Sequence, residues 1–92
     1  MIYSDLIIKP GETILDLLTE RKISKKKLAS KMNITMDELE QIINGDIKIT
    51  DDVAEKLDNA FHLSKRFWLN LERRYREELD NIKNNMEKNN ED

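Results

Sequence analysis

Ninety-two residues with no cysteine, 38% apolar and 38% charged, and a net charge of −3 describe one small domain. A chain of this length supports a single modest core, burying roughly 60% of the surface its unfolded form exposes, which excludes two-domain enzymes and barrels. The absence of Cys excludes a disulfide framework or a thiolate zinc site, and the longest apolar runs, such as Leu6 to Ile8, fall far below the roughly 20 residues of a membrane span.

No basic region followed by a long apolar stretch opens the chain, so the expected compartment is the cytoplasm. Residues Ile2 to Ile8 read as an apolar, strand-like arm closed by Pro10-Gly11. A first helix is expected from about Gly11 to Lys22, with Ile14, Leu17 and Leu18 on its apolar side and Glu12 in its first turn. Ser24 is a good N-cap for a short second helix, Lys25 to Met32, whose apolar side is Leu28, Ala29 and Met32. Asn33 then stands where the chain turns, and Asn tolerates a left-handed backbone better than any residue but Gly. Thr35 with Glu38 three residues later is a capping box, and Leu39, Ile42 and Ile43 share a face of the third helix, which stops at Asn44-Gly45.

Thr50 caps a fourth helix in which Val53, Ala54, Leu57, Ala60 and Phe61 recur at helical spacing. Ser64 caps a fifth, whose expected buried face is Phe67, Trp68, Leu71, Tyr75 and Leu79. The polar stretch from Asn81 to Asp92 is expected to fray into a disordered tail. The expected architecture is all-α, five helices around one core, with an arm over residues 1–8, a domain over 9–80 and a tail over 81–92.

The second and third helices carry a specific pattern. Two helices that meet steeply across a short turn need a small residue at the crossing, a turn residue permissive of positive φ, and apolar residues to pin the second helix. Ala29, Asn33 and the group Ile34, Leu39, Ile42 supply these. The spacing resembles the helix-turn-helix of the Cro and cI repressor class, with Asn33 in place of the usual Gly. The likeness extends to Lys9-Pro10-Gly11-Glu12, Ser24 to Ala29, Ile42-Ile43-Asn44-Gly45, Ile49-Thr50 and Ser64-Lys65-Arg66-Phe67-Trp68-Leu69-Asn70-Leu71. Over about positions 9 to 79 the chain resembles the HigA-type, or VapI-like, antitoxins of the Xre helix-turn-helix family. The resemblance implies a lambda-repressor-like fold and a homodimer that neutralises a small ribonuclease toxin of the HigB type and represses its own operon.

Charge placement bears on this expectation more than net charge does. From Arg21 to Lys31 there are six basic residues (Arg21, Lys22, Lys25, Lys26, Lys27, Lys31) and no acidic one. In a helix-turn-helix the start of the second helix abuts the phosphate backbone, where the Ser24 hydroxyl, free backbone N–H groups and the Lys25 and Lys26 ammonium groups would bind phosphate. The third helix would enter the major groove, yet its outer side presents Met36, Asp37, Glu38, Glu40 and Gln41, with no Arg or Lys. Thr35 and Gln41 are candidate base contacts, Met36 lies beside them, and Asp37 could only accept, for example from cytosine N4. Glu38 is read first as the partner of Thr35 in the capping box. An alternative therefore stands beside the repressor: an antitoxin or phage-type regulator of the same fold, acting through protein contacts, whose acidic recognition helix has lost specific DNA binding.

The remaining polar residues point to structure. His62, the single histidine, falls at the end of the fourth helix as a capping or surface residue, and Arg73, Arg74 and Arg76 lie at pairing distance from Glu72, Glu77 and Glu78. No Gly-rich phosphate loop, paired metal-binding His or nucleophile with a base is present, so no enzymatic activity, metal or cofactor is expected.

Overall fold

The computed structural model of the protein describes residues 8–91, with side chains through Lys83. Five helices follow in order: α1 (Pro10–Arg21), α2 (Lys25–Met32), α3 (Met36–Asn44), α4 (Asp51–Phe61) and α5 (Lys65–Glu91). No strand occurs among the described residues. The strand-like arm expected at Ile2 to Ile8 lies outside them except for Ile8, which is exposed.

Local chemistry accounts for the boundaries. Ser24, Thr35 and Thr50 each accept a hydrogen bond from the backbone N–H three residues on, at 3.1, 3.1 and 3.4 Å, and Ser64 does the same for Phe67 at 3.1 Å. These N-caps satisfy donors that the first helical turn leaves free. At the other ends, α1, α2 and α3 stop on left-handed residues, Lys22 (φ 57°), Asn33 (φ 58°) and Gly45 (φ 84°). After each, the next N–H reaches back to the last turn: Ile23 to Leu18, Ile34 to Ala29 and Asp46 to Gln41, at 2.9, 3.0 and 2.9 Å. This is the Schellman arrangement, and it turns the chain within two or three residues. His62 ends α4 through its backbone, which is left-handed and donates to the Asp58 carbonyl at 2.7 Å, while its side chain is exposed.

Ile14, Leu28, Leu39, Ala54, Leu57, Phe61 and Trp68 are fully buried in one core to which every helix contributes. α4 packs along α5, α2 against α3 and α4, and α1 against α3 and α5. The expected buried face of α5 is only partly realised. Trp68 and Tyr75 are buried and Leu71 half-buried, but Phe67 and Leu79 are 38% and 37% exposed. The inward stripe runs Trp68, Glu72, Tyr75 at helical spacing, which leaves Phe67, one residue back, about 100° off it with its ring edge-on to the indole at 5.2 Å.

A second difference concerns the tail. α5 remains helical to Glu91, well past Leu79. No Gly or Pro occurs after Gly45, so nothing in the polar stretch breaks the helix once Trp68 and Tyr75 have anchored its first half.

Candidate nucleic-acid interface

The α2–turn–α3 unit occupies 25–44, with Asn33, Ile34 and Thr35 as the turn. Ala29, 4% exposed, lies in the core beside Leu28, Met32, Leu39 and Ile42, and Ile34 packs on its edge. These are the roles expected of those positions.

The outer end of this unit is the start of α2. Ser24 Oγ caps the Lys27 N–H, so its own proton is free to donate, and the Lys25 and Lys26 N–H groups lie in the first turn without helical acceptors. Ser24 and Lys26 are exposed and Lys25 is half-exposed. Three lysines in the first turn oppose the positive end of the helix dipole, an arrangement unfavourable to α2 but suited to an anion.

The basic run is smaller in effect than in sequence. Arg21, though exposed, is engaged by α4: its guanidinium donates to the Phe61 carbonyl at 2.6 Å and lies 5.5 Å from the centre of that ring. Lys25 Nζ is paired with Glu40 of α3, at 3.2 and 3.4 Å from the two carboxylate oxygens. Lys22, Lys26, Lys27 and Lys31 are exposed and form no ion pair among the described residues.

α3 is held at both ends. At its start the Thr35–Glu38 capping box closes, the Thr35 N–H donating to Glu38 at 3.2 Å and the Glu38 N–H to Thr35 at 3.1 Å. Near its end α1 approaches so closely that a Cβ on Gly11 would lie 1.8 Å from the Ile43 carbonyl oxygen, a position only Gly can fill. Past its end, Arg76 of α5 donates to the Gly45 carbonyl at 3.0 Å while pairing with Glu72, whose carboxylate is nearly buried. Burial of the partner makes this pair more than a weak surface contact, because removing Arg76 would strand the Glu72 carboxylate.

The face that α3 turns outward carries Asp37, Gln41 and Asn44, three residues within about 60° on the helix, all exposed. Thr35 and Met36 are exposed at its N-terminal edge. All seven sequence-derived candidates, Ser24, Lys25, Lys26, Thr35, Met36, Asp37 and Gln41, thus lie on the helix-turn-helix unit and retain exposure. The structure adds three features: Asn44 on the same face as Gln41, Glu40 as the partner of Lys25, and Arg76 as the anchor behind α3. Asn44 was legible from the i+3 spacing; the two long-range pairs had no signal in the sequence. Among the described residues no helix is long and apolar enough to cross a membrane, and no group of three His, Asp or Glu is placed to hold a metal.

Five helices with a capped, basic α2 start and an outward-facing α3 define a helix-turn-helix regulator. The chain belongs to the helix-turn-helix family, whose match spans residues 14–68. It is 30% identical over 64 residues, 70% of its own length and 68% of its relative's, to the uncharacterized HTH-type transcriptional regulator YddM of Escherichia coli K12. Its structural neighbours include HigA-type antitoxins. The antitoxin HigA of Pseudomonas aeruginosa, solved with the higBA promoter, superposes with a TM-score of 0.78 at 28% identity, covering 87% of this chain and 88% of that one. An addiction module antidote protein of the HigA family from Coxiella burnetii gives 0.77 at 31% identity, covering 92% and 94%. PA4674 of P. aeruginosa, solved in complex with its 18 bp operator DNA, gives 0.80 at 29% identity, covering 94% and 92%.

Proposed function

We propose that this protein is the antitoxin of a type II toxin–antitoxin module, binding a small ribonuclease toxin of the HigB type and repressing its own operon as a homodimer. The observation that carries the reading is its likeness, over most of both chains, to a HigA solved with the promoter of its own operon. The charge and capping of the α2 start agree with it. Ser24 and Lys26 engage phosphate there, which positions the protein without reading sequence. Thr35, Met36, Asp37 and Gln41 then meet base edges in the major groove, and a two-fold dimer spans half-sites roughly 34 Å apart. With Gln41 as the donor to adenine and Asp37 as an acceptor from cytosine N4, such an interface reads sequence without an Arg–guanine contact.

The test is a titration of the purified protein against the DNA upstream of its own gene, beside co-expression with the adjacent gene product. Saturable binding that weakens steeply with salt, together with a stable, non-toxic complex, is the expected result. A duplex that binds no better than unrelated sequence removes the repressor; a neighbour that is neither toxic nor bound removes the antitoxin.

One observation favours a second reading, a partner-binding module without operator specificity: Asp37 and Glu38 are exposed on α3 with no basic partner among the described residues. A cationic toxin surface complements such a face. Reversing Asp37 and Glu38 to Lys separates the readings, since a toxin interface on this face weakens while attraction to unrelated duplex DNA holds or rises.

A further inference from the structure

We infer that Glu40 silences Lys25, so that the ammonium group expected to hold a DNA phosphate instead belongs to an internal ion pair, and Lys26 carries the phosphate contact at the α2 start. This rests on the DNA-binding reading above and concerns how strongly that site holds the backbone. The two residues come from different helices whose relative position is fixed by the turn at 33–35 and by the shared core. Lys25 reaches both oxygens of the Glu40 carboxylate, at 3.4 and 3.2 Å, with the two side chains 41% and 44% exposed.

A carboxylate and a phosphodiester oxygen compete for the same three ammonium donors. The carboxylate is already in place, whereas the phosphate must approach a group whose charge is cancelled and whose neighbour repels it. A net-neutral pair displaces no counterion from DNA, so Lys25 adds nothing to the salt-dependent part of binding. Lys26, one residue on, is exposed and forms no ion pair among the described residues. Because phosphate contacts are shared by every sequence, Glu40 lowers affinity for DNA in general and sets the background above which base contacts on α3 must discriminate.

The experiment measures binding of the intact protein to an unrelated duplex of about 20 bp by fluorescence anisotropy across a salt series. Wild type, K25Q, K26Q, E40Q and K25Q/E40Q are compared, with thermal unfolding as a check that each is folded. K25Q leaves the Glu40 carboxylate unanswered and is expected to bind more weakly than wild type, and K26Q to bind more weakly with a log–log salt slope shallower by about 0.9. E40Q is expected to bind about three- to tenfold more tightly with a slope steeper by about 0.9, and K25Q/E40Q to return to the wild-type values. A K25Q/E40Q loss as large as that of K26Q overturns the inference, because the pair then opens on DNA and Lys25 is a working contact. So does K25Q/E40Q binding as tightly as E40Q, which is general charge removal, while wild-type binding leaves the DNA-binding reading standing in both cases. If no form binds any duplex, the DNA-binding reading fails and this inference with it. Binding by E40Q alone, with none by wild type, supports it in its strongest form.

Discussion

The starts of α2 and α3 are built from the same parts and do opposite things. Each is an exposed helix N-terminus capped by a hydroxyl side chain, Ser24 in one and Thr35 in the other, at 3.1 Å from the N3 amide. At α3 the positive end of the dipole is answered from within, by Asp37 and Glu38 in the first turn and by a closed capping box. At α2 it is reinforced by Lys25, Lys26 and Lys27, with no carboxylate in the first turn. One terminus is electrostatically complete and the other is left short of an anion. Glu40 of α3 partly supplies that anion to Lys25. A helix start optimised for stability differs from one kept for binding by what its first turn leaves unanswered.

The change with the largest expected effect breaks the comparison altogether by dislodging α3. Gly11→Ala drives a methyl into the Ile43 carbonyl, and urea unfolding should show a loss of about 3 kcal/mol as α1 and α3 separate. A neutral result would mean that the two helices do not approach as described. Next, K26Q/K27Q sharpens it: binding to the protein's own promoter should fall tenfold or more with a salt slope shallower by about 1.8. The same variant should unfold later, since relieving two charges from the positive end of a helix stabilises by about 0.3–1 kcal/mol each. Loss of both affinity and stability would show the lysines to be structural.

Smaller effects separate the two caps. Ser24→Ala and Thr35→Ala should each lower stability by about 1 kcal/mol. At equal folded fraction, S24A should also lose affinity for unrelated duplex, while T35A should keep it and change only the preference among sequences. The smallest effect is expected at Lys22→Gly, where a left-handed backbone (φ 57°) held by a residue with a Cβ becomes one that Gly adopts freely. Thermal unfolding should show a gain of up to about 1 kcal/mol.

Much of the fold is legible in the chain because its helix boundaries are chemical and local. Ser24, Thr35, Thr50 and Ser64 cap the helices they were expected to cap, and Asn33 takes the left-handed turn. Lys22 and His62 also adopt positive φ, which their residue types do not advertise. α5 illustrates the limit. Periodicity identifies a helix with Trp68 and Tyr75 inward but does not fix its rotation, so Phe67 projects from the face expected of it. Leu79, in phase with Trp68 and Tyr75, is exposed because it lies past the core. Nor does a polar composition end a helix that contains no breaker and is anchored upstream.

The candidate site divides in the same way. By itself the sequence determined that a capped, basic helix start is followed by an acidic helix across a three-residue turn, because caps, turns and charge runs are set by neighbours in the chain. Only the tertiary structure decided which of those charges remain available. Arg21 is drawn to the Phe61 carbonyl forty residues away, Lys25 to Glu40 across the turn, and Arg76, whose pairing with Glu72 one turn away the spacing did encode, to the end of α3. An ionic contact between helices depends on distance in space, and no spacing along the chain encodes it until the core has set the helices side by side.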